Sequence, residues 1–73
     1  MIAVRLADLR DALGRLDNES RSTLEAAFRQ GRADDGAERA FERLADELAL
    51  DGREARDELF ATLHDIPAEY WES

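Results

Sequence analysis

Cysteine is absent from the 73 residues of the chain. Its absence excludes a disulfide framework, a thiolate nucleophile, an iron–sulfur cluster and a zinc site with Cys ligands. No apolar run approaches the roughly 20 residues of a membrane-spanning helix, and the first residues lack the apolar core of a signal peptide. We therefore expect a cytoplasmic protein that is not inserted in a membrane.

Lysine is absent as well, so all ten cationic residues are arginine, against 18 aspartates and glutamates. The formal net charge of −8 repels phosphate groups, because proteins bind nucleic acids largely by replacing counterions with Lys and Arg. Nucleic-acid binding is therefore disfavoured. The excess of acidic residues is consistent with a functional surface, with adaptation to salt or with a need for solubility alone.

Side chains suited to catalysis or metal binding are few, and His64 is the only histidine. No G-x-S-x-G pattern surrounds a serine, so the sequence lacks a nucleophile elbow. The Glu-x-x-His motif of di-iron bundles is missing because Ala61 lies three residues before His64. Asp34 and Asp35 lack the spacing of a calcium loop. We predict no enzymatic activity, no cofactor and no metal site.

Apolar residues repeat at steps of three and four, a spacing that places them on one face of an α-helix. The first such stripe comprises Ile2, Leu6, Leu9, Leu13 and Leu16. The second comprises Ala37, Phe41, Leu44 and Leu48, flanked by Ala40 and Ala45. We predict an all-α fold, a compact bundle of about four short amphipathic helices with a short C-terminal aromatic tail, in a single domain over residues 1–73.

Capping residues and glycines predict where the helices begin and end. Asp17 and Asn18 can cap a second helix over about residues 19–30, and Gly31 can end it in a left-handed conformation. The loop that follows, residues 31–36, leads into the third helix. We expect Asp35 and Glu38 to form a capping box there, because they have its three-residue spacing.

A second break is expected at Asp51 and Gly52, where the glycine can end helix 3 and the aspartate can cap helix 4. Helix 4 then covers about residues 53–64, and Pro67 prevents its continuation because it disfavours helical geometry at Ile66. The candidates for burial on helix 4 are Ala55, Leu59, Phe60 and Leu63.

An acidic column is expected on helix 3, where Glu38, Glu42 and Asp46 lie four residues apart on one face. Carboxylates kept in mutual repulsion are typical of a surface that is complementary to a basic partner. An ordinary solvated face, interleaved with Arg39 and Arg43, explains the column equally well.

The C-terminal tail carries two aromatic residues, Tyr70 and Trp71. Aromatic side chains are favoured at the centres of protein interfaces, so both are candidates for anchoring a partner. The alternative is that they fold back as a lid on the helical core.

Two short segments in the first third of the chain are similar to the opening helices of the C-terminal DNA-binding region of sigma factors. They are Leu9-Arg10-Asp11-Ala12-Leu13-Gly14-Arg15-Leu16 and Ser20-Arg21-Ser22-Thr23-Leu24-Glu25. The resemblance implies a helical DNA-reading module. In place of the family's basic recognition helix, however, this chain carries Asp34, Asp35, Glu38 and Glu42.

A second set of positions resembles the small Hha/YmoA family of helical modulators, which bind nucleoid-associated proteins. The matching residues are Thr23-Leu24-Glu25, Phe41, Ala45-Asp46, Ile66-Pro67 and Trp71. This resemblance implies a small helical regulator that acts by binding another protein.

The leading functional hypothesis is a small acidic regulator of the antitoxin, immunity, inhibitor or adaptor type, which binds a basic protein partner. The predicted partner-binding residues are Glu38, Glu42, Asp46, Tyr70 and Trp71. One alternative is a helix-turn-helix-like nucleic-acid module. Its candidate contacts are Arg5, Arg10, Arg21 and Arg29. Another alternative is a purely structural dimerisation domain. Helices 1 and 3 each present a narrow apolar seam that two copies could bury between them, so we expect the chain to form a homodimer.

Overall fold

The computed structural model describes residues 4–32 and 35–71. It contains four α-helices and a short 3-10 turn: α1 (Leu6–Arg15), α2 (Asn18–Gln30), α3 (Asp35–Glu47), α4 (Arg53–Asp65) and η1 (Ala68–Tyr70). These two described ranges contain no β-strand. The predicted all-α bundle of four short helices with an aromatic C-terminal segment is confirmed.

The helices are short, and the longest of them have 13 residues. At about 1.5 Å per residue such a helix is about 20 Å long. Within the described ranges, no helix has both the length and the apolar character needed to cross a membrane.

The core is made of leucines contributed by all four helices. Six of them are fully buried: Leu9, Leu13, Leu24, Leu44, Leu59 and Leu63. Within residues 4–32 and 35–71, no polar or charged residue is buried. The main packing is between α2 and α3. The small buried residues Ala40 and Ala45 lie on α3, where their size lets another helix approach closely.

Leu6 was expected in the buried stripe of the first helix, but 49% of it is exposed. The helix begins only at Leu6, and the chain before it is extended, with Arg5 at φ −92° and ψ 139°. Helical spacing therefore does not continue back beyond Leu6, and Val4, which precedes the helix, is the buried residue at this end. Ile2, the first member of the predicted stripe, lies outside the described residues.

Phe60 was expected in the core, but 53% of it is exposed. Leu59 and Leu63, one turn apart on α4, are the buried residues of this helix. Each residue of an α-helix is turned by about 100° from the one before it, so Phe60 lies at the edge of the stripe that Leu59 and Leu63 bury. Ala55 is half-buried.

The end of α2 is as predicted, with Gly31 in the left-handed region at φ 70°. The third helix begins at Asp35, within the predicted loop. The residues that would cap it, 33–34, lie outside the described part of the chain.

The end of α3 differs from the prediction, because the helix stops at Glu47, before Gly52 is reached. Ala49 adopts the left-handed conformation at φ 54°. Its N–H donates to the carbonyl of Asp46 at 3.0 Å, and the N–H of Leu50 donates to the carbonyl of Ala45 at 3.0 Å. These two bonds form a Schellman motif with alanine in the position that glycine usually occupies.

Gly52 is the residue directly before α4, at φ 90° and ψ 161°. This region is essentially restricted to glycine. The prediction that Asp51 caps helix 4 is therefore wrong, because Gly52 occupies the N-cap position.

Exposed ion pairs connect neighbouring helices on the surface. Arg15 of α1 lies 3.4 Å from Glu47 of α3. Arg56 of α4 lies 2.7 Å from Glu42 of α3. Exposed pairs of this kind stabilise a protein by about 1 kcal/mol or less, so the leucine core is the main source of stability.

The C-terminal segment turns back onto the bundle. Ile66 is extended at ψ 148° before Pro67, as expected from the proline. Trp71 is only 3% exposed, and its ring lies 6.3 Å from that of Phe28 between centroids. Tyr70 is half-buried beneath the guanidinium of Arg10, at 5.6 Å from the ring centroid. The lid interpretation is confirmed for Trp71.

We expect Ala49→Gly to raise the free energy of unfolding by about 1 kcal/mol, because glycine adopts a left-handed conformation without the steric cost of a Cβ atom. The matched control is Gly31→Ala, since Gly31 has φ 70° and open space around the position of a Cβ. That substitution should lower the free energy of unfolding by a similar amount. Urea denaturation followed by circular dichroism measures both, and changes of the same sign would contradict this account.

We expect Trp71→Ala to lower the free energy of unfolding by about 3 kcal/mol or more, because it removes a large buried ring from the core. Tyr70→Ala should cost less, since Tyr70 is only half-buried. Thermal and urea unfolding compare the two variants. Equal losses would show that the C-terminal segment is held by both rings and not mainly by Trp71.

Candidate functional site

An open cleft of about 450 Å³ lies between α2, α3 and α4. We call it the aromatic groove. Its lining comprises Ala27 and Phe28 of α2, Asp35, Ala37, Glu38 and Phe41 of α3, and Phe60 and His64 of α4. The volume is within the range of about 300–1,000 Å³ that is typical of ligand pockets. Its lining combines aromatic rings with carboxylates.

Phe28 is the centre of the aromatic lining. Its ring centroid lies 5.1 Å from that of Phe60, in an edge-to-face arrangement, and 6.5 Å from that of Phe41. Phe60 in turn lies 6.2 Å from Phe41. Three rings from three different helices therefore form one continuous apolar surface.

His64 extends this surface along α4. It lies in the last turn of the helix, as the sequence predicted, and is exposed. Its ring centroid is 4.8 Å from that of Phe28 and 4.9 Å from that of Phe60, both edge-on. The imidazole therefore adds an edge with hydrogen-bonding nitrogens to an otherwise apolar wall.

Two carboxylates of α3 also line the groove. Asp35 and Glu38 are exposed and lie in the first turn of α3. Negative charge is favourable at this end of a helix because of the helix dipole. Since cations are attracted both to carboxylates and to aromatic rings, this side of the groove favours a positively charged ligand group.

The acidic column continues from the groove along α3. Glu38, Glu42 and Asp46 are all exposed, and Glu38 belongs to both surfaces. An arginine from another helix contacts this column, because Arg56 of α4 donates a hydrogen bond of 2.7 Å to Glu42. The spacing of residues along one helix does not reveal an ion-pair partner that belongs to another helix.

Asp17, directly before α2, has a pKa below its ordinary value. The Ser20 side chain beside it is the main cause that lowers the pKa of this carboxyl. The Arg43 guanidinium, 3.2 Å from the Asp17 carboxylate, lowers it further. This exposed cluster connects α2 with α3 on a side of the molecule that does not line the groove.

The arginines proposed for a nucleic-acid module are largely engaged within the chain. Arg10 lies over the ring of Tyr70. Arg21 donates to the Leu13 carbonyl at 3.3 Å and to Asn18 at 2.7 Å. Arg29 is paired with Glu25 at 2.7 Å. These contacts engage each of the three arginines with groups of the chain itself.

The structure places the predicted site residues in different environments. Glu38 borders the groove, and Glu42 and Asp46 lie further along the same helix. Trp71 is buried behind the groove, against Phe28. No three His, Asp or Glu side chains in the described ranges lie close enough to hold a metal ion.

Sequence reasoning missed the aromatic groove itself, because Phe41 and Phe60 were both assigned to the interior. One signal was present, since Leu59 and Leu63 lie four residues apart on one face of the helix and Phe60 is turned by about 100° from Leu59. The choice between them depends on how α4 is rotated against α2 and α3, which the sequence does not show.

Comparison of the chain with protein-family models, with curated proteins and with solved structures gives no match. A functional interpretation therefore depends on the chemistry of the site.

We expect the stability of the protein to fall in acid partly because Asp17 becomes protonated. A lowered pKa in the folded state stabilises the fold above the unfolded value, about pH 4, and this contribution is lost as the pH falls through the folded value. Asp17→Asn keeps a side chain of nearly the same shape but removes the charge, so its stability should fall less than that of the wild type between about pH 6 and pH 2.

Urea denaturation across this pH range provides the test. Ser20→Ala should bring the pH dependence of stability closer to that of Asp17→Asn. It should do so more strongly than Arg43→Gln, because Ser20 is the larger cause of the lowered pKa. Parallel pH profiles for the wild type and Asp17→Asn would contradict the assignment.

Proposed function

We propose that this chain is a small acidic regulator that acts in the cytoplasm by binding a basic protein, with the aromatic groove as the contact surface. The observation that supports this most directly is the exposed aromatic cluster beside the carboxylates of Asp35 and Glu38. The proposed function consists of binding alone, as in an inhibitor, antitoxin, immunity protein or adaptor.

The aromatic side of the groove supports a protein partner. More than half of Phe60 is exposed although six leucines of the same small chain are fully buried. Aromatic residues are enriched among the side chains that contribute most to binding at protein interfaces. Covering Phe60 and the adjoining rings would remove apolar surface from water, and this is favourable. In this proposal Phe60 replaces Trp71 as the exposed apolar anchor.

The charge of the chain supports a basic partner. The net charge is −8, and Asp35, Glu38, Glu42 and Asp46 lie along the side of α3 that begins at the groove. Such a field accelerates association with a basic surface and disfavours acidic ones.

The same charge argues against a homodimer formed through the groove. A two-fold contact centred there would bring the same surface patch of both copies together. The carboxylates of Asp35 and Glu38 would then approach their own counterparts, and each copy carries a net charge of −8. A basic partner covers the same rings without this repulsion.

A capture experiment with surface variants tests the proposal. The tagged protein is incubated with a lysate of its own source at about 50 mM and at about 0.5 M salt, because screening weakens contacts between exposed charges. We expect one basic protein to be retained at low salt and less at high salt. Glu38→Arg with Asp46→Arg should abolish its retention, and Phe60→Ser should weaken retention at both salt concentrations.

The matched control is Glu54→Arg with Asp57→Arg, which reverses two exposed charges on α4 that do not line the groove. It should retain the partner at low salt as the wild type does. Equal retention by all variants, or an acidic partner that is indifferent to salt, would contradict the proposal.

A further inference from the structure

We infer that the element of the partner that enters the aromatic groove is a basic amphipathic α-helix. This inference rests on the proposed function and specifies the ligand of the same site. It follows from three properties of the groove: the hydrogen-bonding capacity of its lining, the small residues in its lining and the position of its carboxylates.

The lining offers few groups that could bind the backbone of a ligand. Apart from Asp35, Glu38 and His64, its side chains are alanine and phenylalanine. The surrounding backbone is helical, so its N–H and C=O groups are paired within their own helices except in the first and last turns, such as the first turn of α3. The few unpaired groups at these helix ends do not form the continuous row that an extended strand requires. A segment bound in an extended conformation usually adds to an exposed sheet edge, and the described ranges contain no strand.

An extended segment placed in this groove would therefore bury unpaired N–H and C=O groups, each at a substantial cost. A helix avoids this cost because its backbone hydrogen bonds are internal. The groove thus favours a ligand that is already helical or becomes helical on binding.

The small residues of the lining are compatible with such a helix. Ala27 of α2 and Ala37 of α3 lie in the lining, and their side chains leave room for the close approach of another backbone. Their neighbours Phe28, Phe41 and Phe60 provide a broad apolar surface for the ligand's own apolar stripe. A volume of about 450 Å³ accommodates a few side chains, so the contact is a short one.

The position of the carboxylates determines where the ligand carries its charge. Asp35 and Glu38 are three residues apart on α3 and therefore lie on the same face. They are contributed to the lining by α3, whereas Phe60 and His64 are contributed by α4. A bound helix would direct leucine-like residues towards the rings and arginine or lysine towards Asp35 and Glu38.

Three synthetic peptides of about 16 residues, each with a fluorescent label, test this inference. The first has leucines at i, i+3, i+4 and i+7 with arginines along one edge of that stripe. The second has the same composition in scrambled order, so that the charge is kept and the stripe is lost. The third keeps the leucine stripe and carries glutamate in place of arginine. Binding to the intact chain is measured by fluorescence anisotropy at about 50 mM and 0.5 M salt.

We expect the striped basic peptide to bind with a dissociation constant on the order of 1–100 μM, as is typical of a small contact. The scrambled and glutamate peptides should bind at least tenfold more weakly. Phe60→Ala should weaken binding of the striped peptide at least fivefold at both salt concentrations. Asp35→Asn with Glu38→Gln should weaken it at low salt only, and circular dichroism verifies that each variant is folded.

The matched control is Glu54→Gln with Asp57→Gln, two exposed acidic residues of α4 outside the groove. This variant should bind within twofold of the wild type. Equal binding of the striped and scrambled peptides would overturn the helix inference, because charge alone would then explain the affinity. Self-association of the chain that Phe60→Ala abolishes would also overturn it, since the groove would then be occupied by a second copy.

Failure of this inference and failure of the proposed function give different results. If no peptide binds but the lysate experiment retains a basic protein in a manner sensitive to Phe60→Ser, the function stands and the helical ligand is wrong. If neither experiment shows binding, both are wrong.

Discussion

The rest of the site depends on the contacts that the Phe28 ring makes with other rings. This ring lies within 6.5 Å, between centroids, of rings contributed by α3, α4 and the C-terminal segment. No other described side chain has ring contacts with all three of these elements. Trp71 is buried and contacts the Phe28 ring, which also lines the groove. The stability of the C-terminal segment and the shape of the groove are therefore linked through one side chain.

Phe60 lies apart from the buried core. The six fully buried leucines form the interior together with Trp71, whereas Phe60 of α4 is exposed beside α2 and α3. An exposed ring contributes little to folding, because most of its surface stays in water. The stability of the bundle therefore depends mainly on the leucines, and the exposed ring adds apolar surface beside the carboxylates of α3.

The helices and most of the core could be predicted from the sequence, because leucine spacing and capping residues act over a few residues. Leu9, Leu13 and Leu44 are buried as their spacing indicates. Local rules were less informative where two solutions were equally allowed, as for Leu59 and Phe60, and where alanine occupies a glycine position, as at Ala49. The groove and the Arg56–Glu42 pair could not be predicted, since both require the relative placement of separate helices. Glu38 is the residue that links the predicted acidic column to the groove that the structure adds.

The burial of Trp71 has a practical consequence for studying this protein. It is the sole tryptophan of the chain, and its ring is stacked against Phe28, which also lines the groove. The indole is shielded from solvent and is in contact with a ring of the groove lining. A ligand that displaced the Phe28 ring would alter the surroundings of the indole, so the intrinsic emission of the unmodified chain is suited to detecting occupancy of the groove.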